Sequence, residues 1–408
     1  MLEEIKSCRE KAISARDKKA ASGDDVDLDK YESHAAQAPQ NNTIASISSD
    51  IKQAALSTGV MLDDQSQRSG TFVQIDNRPM HSAAAQEGIE VMATSEALAK
   101  YAWMKDYLWK AVDVDTDKFT AHTELNQADG YFMRALPGVK TTYPVQACLY
   151  MSRSRAVQDV HNIIIAEEGS ELHIITGCSA AEREPGVHLG ISEFFIKRGA
   201  KVTFTMIHSW SPDVEVRPRT CAIIEQDGLF MSNYVIMRPV RSLQSNPTAY
   251  CVGKNATVRF NSVIVATPGS KIDIGSRAIL SAKGAKTEMI ARTISTGGEI
   301  ISRGYIEASE LETKGHLECR GLILGEQGII HAIPEIKGCR AGVDLSHEAA
   351  VGKIAEEEVE YLMARGLSRD EATAAIIRGF LKVDIQGLPP MLNAEMQKAV
   401  KQSEADLF

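Results

Sequence analysis

Cys319, His347 and Glu348 bring together the side-chain types that hold iron and sulfur: a thiolate at the end of a strand-like run, then an imidazole and a carboxylate about one repeat later. A second group lies upstream, where Cys148, Cys178 and His208 follow one another at intervals of 30 residues and Cys221 and Cys251 are also 30 apart. The seven cysteines, from Cys8 to Cys339, are odd in number and contain no CxxC pair, so neither a disulfide framework nor a preformed zinc or ferredoxin-type site is indicated. Each residue taken singly also has an ordinary structural explanation. Cys319 alternates with Leu317 as a core residue does, Cys178 between Gly177 and Ser179 reads as a turn open to solvent, and His347 and Glu348 suit the N-terminus of a helix, where the dipole favours a carboxylate. The phosphate loop, the GxGxxG turn, the GxSxG elbow and HExxH are all missing, so any nucleotide used must be bound by a partner.

Spacings of 29 or 30 carry chemistry only if the fold repeats with that period. From about Tyr131 the chain consists of short Val, Ile, Thr and Phe runs punctuated by Gly169, Gly199, Gly228, Asn255, Gly284 and Gly315, at intervals of 30, 29, 27, 29 and 31. That period, without intervening helices, predicts a parallel β-helix or solenoid; a β-sandwich would turn every 8 to 12 residues or so. Side chains one coil apart then lie about 4.8 Å apart, which would stack Glu348, 29 residues on, over Cys319. Cys178, 141 residues before Cys319, is placed about five coils, or ~24 Å, away from it.

The flanks read as helical. Leu2 to Lys19 forms a charged helix, the acidic stretch after it reads as a linker, and SEALAKYAWMKDYLWKAV forms a helix with Ser95 as N-cap and Leu98, Tyr101, Ala102, Leu108 and Trp109 along its packed side. After Ser346, Val351, Ile354, Val359, Leu362 and Met363 give a helical face ending at Gly366, and Ser368 with Glu371 forms a capping box for a helix from Arg369 to Leu381. A third helix is expected near Met391. The expected regions are 1–130, mainly helical with an acidic linker, 131–345, a β-helix core, and 346–408, a helical module. A net charge of −9 argues against a nucleic-acid partner, no apolar run approaches membrane-spanning length, and the start has no signal-peptide core, which together point to the cytoplasm.

From Asp117 to the C-terminal helices the chain resembles the SufB/SufD family, the scaffold subunits of the SUF-type iron–sulfur cluster assembly machinery. The resemblance is carried by DKFTAHTELNQADGYFMRALPGVKTTYPVQACLYM, HNIIIAEEGSELHIITGCSAA, GHLECRGLILGEQGIIHAIPEI and SHEAAVGKI. It implies a mainly β chain: a right-handed parallel β-helix flanked by helical N- and C-terminal regions, pairing with a second copy or a SufD-like paralogue. The C-terminal module would dock a SufC-type ABC ATPase through Ile354, Glu357, Tyr361, Leu362, Gly366 and Leu367. Cys319 matches the scaffold cysteine of SufB, Glu348 its glutamate, and His347 falls where SufD carries a histidine. Cys178 matches the cysteine that receives sulfur from a cysteine-desulfurase-type or other donor, with Trp210 and His208 along the internal sulfur route. Two departures stand out: His208 replaces the glutamine usual in SufB, and the CxxCxxxC-type N-terminal motif of some SufB proteins is absent. The implied function is a scaffold, not an enzyme, that builds a transient iron–sulfur cluster for apo acceptor proteins while the partner uses ATP; a reduced flavin as electron source is left open. The alternatives are a SufD-like subunit with no cluster site, and a secreted β-helix polysaccharide lyase or hydrolase, against which the missing signal peptide weighs.

Overall fold

The computed structural model describes residues 2–34, 37–40, 43–63, 66–181, 184–324 and 327–381. The expected helix near Met391 lies outside them. Ahead of the repeats come α1 (Leu2–Ala15), β1 (Glu32–Ser33), α2 (Ser49–Ser57), β2 (Gly70–Ile75), β3 (Arg78–Ala84), β4 (Ile89–Ala93), α3 (Thr94–Lys100), α4 (Lys118–Leu125) and β5 (Tyr131–Ala135). The chain then winds as a parallel β-solenoid of about 7 turns. Its successive coils are β6 (Val145–Met151) and β7 (Ala156–Ala166); β8 (Glu171–Ala180) and β9 (Gly186–Ile196); β10 (Lys201–Ser209), β11 (Val214–Val216) and β12 (Arg219–Ile224); β13 (Leu229–Ile236), β14 (Ser242–Ser245) and β15 (Thr248–Cys251); β16 (Thr257–Ala266), β17 (Lys271–Ile274) and β18 (Arg277–Leu280); β19 (Lys286–Ser295) and β20 (Glu299–Ala308); β21 (Lys314–Ile323) and β22 (Ile329–Gly338). One more strand, β23 (Asp344–Gly352), precedes α5 (Glu356–Met363) and α6 (Arg369–Leu381).

The coil length follows from the turns. Gly169 and Gly199 take φ of 69° and 68°, a left-handed corner that glycine enters without a Cβ penalty. Gly315 does not mark a turn; it lies inside β21, where a Cβ would press on Leu345 and Ile306. Strands from successive coils pair in parallel into two sheets, one running β6, β8, β10, β13, β16, β19, β21, β23. In the other, β9 divides onto β11 and β12, and the two branches rejoin on β20. The split falls at Arg217-Pro218 and Asn246-Pro247 in two coils and at Gly275-Ser276 in the third; proline has no N–H for the ladder. Neighbouring coils are also tied by side chains 30 residues apart, as in Arg303 with Asp273 (2.6 Å) and Lys337 with Glu307 (3.1 Å). Alternation sends Leu172, Ile174 and Cys178 of β8 inward, while Ile175 faces out under α2.

The N-terminal region carries strands as well as its helices. β2 pairs with β6, β3 folds back on β2, and β4 pairs antiparallel with β5, so these strands close the first end of the solenoid. The expected helix from Ser95 stops at Lys100, with Tyr101 extended; further on, Glu193, wholly buried, accepts the backbone N–H groups of Trp109, Lys110, Ala111 and Val112 at 2.6–3.0 Å. Those four donors wrap around one carboxylate and cannot also sustain helix bonds; His161 Nε2 lies 2.8 Å from the same group. Nor is the acidic stretch a free linker. Asp24 and Asp25 pair with Lys271 and Lys118, and the buried Arg217 donates to the Asp24 carbonyl. The solenoid also continues past 345. Residues 344–352 form β23, which satisfies the free edge of β21, and the helical module starts only at Glu356, where three glutamates fill the first turn. The Ser368–Glu371 capping box is present, with Glu371 N–H donating to Ser368 Oγ at 3.2 Å. α6 lies back on the outer face of the first sheet, packing Ala374, Ile377 and Leu381 on Val263, Val265 and Ile294.

Candidate functional site

Cys319 sits on the inward face of β21, 4% exposed, between Ala291 of β19 and Ala349 of β23. Ser302 Oγ on the facing sheet lies 3.8 Å from its sulfur. Burial pushes the thiol up, partly countered by the Ser302 hydroxyl and the Arg292 charge, while Glu318 adds to the rise. β23 is the last strand, so its residues and those of β22 have no coil beyond them among the described residues. The inward positions Ile336 and Val351 are therefore open to solvent, and His347, which follows Leu317 on the same inward face as Cys319, is exposed as well.

Glu348 does not stack over Cys319. The interval from β21 to β23 is 30 residues, so Glu348 opposes Glu318 and points to the outer face, 3.8 Å from Arg320 Nη2. A register offset of one residue moves a side chain to the opposite face of a sheet. Nor are His347 and Glu348 at a helix gateway; both lie within β23. No group of three His, Cys, Asp or Glu side chains among the described residues is arranged to hold a metal ion.

Cys178 lies on β8, fully buried on the inward face, and is no exposed turn residue. His208 on β10 is its register partner, and Cys148, although 30 residues before it, opposes Gly177 and faces outward under α2. The Tyr234 hydroxyl is 2.7 Å from His208 Nδ1, and the rings of His188 and Trp210 complete the cluster at 6.2 and 5.1 Å from His208. Burial raises the Cys178 thiol well above its ordinary value and holds His208 well below its own.

Five strand steps, β8 to β10, β13, β16, β19 and β21, separate the two thiols, about 24 Å at 4.8 Å per step. Between them lies a narrow interior cavity of about 50 Å³ that begins at Met206 and Tyr234 and ends at Cys319. Its walls mix apolar groups (Phe260, Met289, Leu317) with the hydroxyls of Thr220, Ser232, Ser245, Ser262 and Ser302. Cys178 does not line it; its register partner His208 bonds to Tyr234, which does. Sequence reasoning missed Tyr234 and Ser302. Tyr234 shares an inward column with Met206, two residues along the strand from that of Cys178, and Ser302 comes from the opposite sheet, where a 29- or 30-residue spacing gives no signal.

In the C-terminal module Tyr361 is 57% exposed, with Glu357, Gly366 and Leu367 also on the surface. Leu362 is half-buried, and Ile354 packs with the cluster under α6.

A family model described as "SUF system FeS cluster assembly, SufBD core domain" matches residues 149–380. An "Iron-sulfur cluster assembly SufBD family protein" of Methanothermobacter thermautotrophicus is 46% identical over 406 residues, 98% of this chain and 99% of the relative. One of Archaeoglobus fulgidus is 51% identical over 357 residues (88% and 96%), and one of Pyrococcus horikoshii 31% identical over 350 residues (84% and 78%). No helix among the described residues is long and apolar enough to cross a membrane. With a solenoid core, two thiols on its inward face and this likeness along nearly its whole length, the chain belongs to the SufBD family of iron–sulfur cluster assembly proteins.

Proposed function

We propose that the chain is a cytoplasmic scaffold on which iron and sulfur are joined into a nascent cluster at Cys319, with sulfur received at Cys178. The observation that carries this reading is the cavity between the two. Sulfur moves between thiols only over bonding distance, and two thiols ~24 Å apart need an enclosed path. A passage walled by apolar side chains and hydroxyls keeps sulfur in transit away from bulk oxidants while offering it hydrogen bonds. Cys251, the other cysteine of the inner cluster, does not line the cavity.

At the open end Cys319 supplies the thiolate and His347 an imidazole on the same face. Glu348 reaches iron only from the outer face of β23. A single chain offers too few ligands for a cluster, and the unpaired edges of β22 and β23 suit a second copy, or a SufD-like paralogue, that completes the set. The exposed Tyr361, Leu367, Glu357 and Gly366, with Leu362 beside them, form the surface for a SufC-type ATPase, which supplies the nucleotide chemistry; Ile354 supports that surface from beneath. Sulfur donor and apo acceptors complete the partners.

Anaerobic reconstitution of the full chain with iron and sulfide, followed by absorption and Mössbauer spectroscopy, tests the reading. Wild type should gain cluster signals and Cys319→Ala should gain none while unfolding at a similar temperature. Equal reconstitution by both removes Cys319 from the site. A wild type that retains no iron under any condition identifies a structural subunit instead.

A further inference from the structure

If Cys178 receives sulfur, the wall around it contains a basic group with no structural employment. His208 stands beside Cys178 on the adjacent strand, both facing inward. Its Nδ1 is engaged by Tyr234, 2.7 Å away, but its Nε2 is buried with no hydrogen-bond partner. An orphaned polar nitrogen of this kind is costly to bury, and an imidazole that comes within hydrogen-bond reach of a thiol activates it as a nucleophile; at rest Nε2 makes no hydrogen bond to Cys178 Sγ, and the contact must tighten when the donor binds. A cleft open to solvent reaches the residues that follow the pair on both strands. Trp210, tilted against His188 and edge-on to His208, forms part of the wall of this cleft of about 840 Å³. α2 and the ends of β8 and β10 supply the rest of that wall, among them Ser179, the residue after Cys178. Trp210 and the strand ends are what stand between the cleft and the thiol.

We propose that His208 is the proton acceptor that turns Cys178 into a nucleophile during sulfur uptake, and that Tyr234 positions it. With the ring proton on Nδ1, donated to the Tyr234 oxygen, Nε2 presents its lone pair to the thiol. Cys178 Sγ attacks the terminal sulfur of a persulfide, R–S–SH, presented through the cleft. The donor's S–S bond breaks as the new one forms, the Cys178 proton passes to Nε2 and then to the departing R–S⁻. The products are Cys178–S–SH and R–SH, so one zero-valent sulfur is exchanged between thiols and no oxidant or reductant is consumed. A glutamine at this position fills similar space and bonds to Tyr234, yet it takes no proton.

The ionisable groups around His208 are Cys178 on β8, Tyr234 on β13 and His188 on β9, with Cys148 and Tyr131 behind Cys178 and Asp50 and Arg238 at the cleft. His188 is held near 3 by burial and its Nδ1 is 2.8 Å from Gln158 Oε1, so it stays neutral. Burial keeps the thiol protonated and the imidazole neutral at rest. The proton therefore moves only as the sulfur bond forms.

The test uses the full chain and glutathione persulfide, with persulfidation of each cysteine followed by mass spectrometry between about pH 6 and 9. His208→Gln should slow labelling of Cys178 by about 100-fold near neutral pH, the low end of general-base effects, and make its rate climb more steeply with pH. Tyr234→Phe should slow it less and shift the profile, while the exposed Cys339 reacts equally in all forms and serves as control. Wild-type rate and wild-type profile in His208→Gln would overturn the role of His208. Should that variant not fold, an unchanged rate and profile in Tyr234→Phe would overturn the pairing of His208 with Tyr234 on which the proposal depends. Labelling of Cys339 but never of Cys178 in the wild type defeats the sulfur-receiving reading itself, and the inference with it.

Discussion

The two ends of the solenoid are built on opposite plans. At the first end β2 and β4 extend the two sheets, α2 covers the outer face, and the nearest inward thiol, Cys178, lies deep in aromatic surroundings. At the other end the ladder stops, among the described residues, at β22 and β23, and Cys319 lies on the strand before the last, its rise in pKa tempered by a hydroxyl and a guanidinium. A capped end withstands unfolding and keeps a thiol neutral until a reaction partner arrives. An open end offers backbone edges, apolar positions and a thiol whose charge is easier to create.

The contrast can be broken most forcefully at Glu193. Its carboxylate satisfies four backbone donors, so Glu193→Ala should cost about 3–5 kcal/mol, measured by urea unfolding, with the loss of the turn at Trp109–Val112 visible in tryptophan fluorescence. Cys148, beneath α2, sharpens it through pH. An unfolded thiol titrates near 9.0 and this one, folded, at about 12. Between those values the folded chain holds a proton that the unfolded chain has lost, so stability is full below pH 9.0 and falls by about 1.4 kcal/mol per pH unit above it. Cys148→Ala should flatten the alkaline slope by that amount, whatever constant offset its lost packing adds. At the open end Ile336 continues the inward column of the buried Ile306 yet is 40% exposed. Ile336→Asp should weaken self-association at least about tenfold, in line with ~1.4 kcal/mol or more for an interface anchor, seen by sedimentation, with little change in unfolding. The smallest effect belongs to Ser302→Ala. Losing one neutral hydrogen bond, worth about 1 kcal/mol, should raise the Cys319 pKa and slow its alkylation a few-fold without altering that of Cys178.

The period of the solenoid was legible because turn residues recur where each coil must reverse, and Gly169 and Gly199 do adopt the left-handed corner. Faces were less legible than coils. Intervals between punctuating residues range from 27 to 31, and one residue decides whether a side chain points in or out, which is how Glu348 came to stand over Glu318 instead of Cys319. The helical texture of HEAAVGK was misleading for a related reason. Alanine favours helix in isolation, but the free edge of β21 gives that stretch a ladder of hydrogen bonds. The non-helical turn at Trp109–Val112 was hidden because the carboxylate that holds it, Glu193, lies 84 residues from Trp109.

The acidic strap has a consequence for the order of synthesis. Ser22 and Asp24 rest on Gln244, Arg217 and Lys271, partners 193 to 247 residues further along. A growing chain exposes the strap long before those coils exist, and closing so long a loop yields nothing until they do. Coils stack upon their predecessors as they emerge, so a segment made among the earliest locks among the latest. It then works as a lengthwise brace across three coils, and its docking marks a solenoid already wound past Lys271.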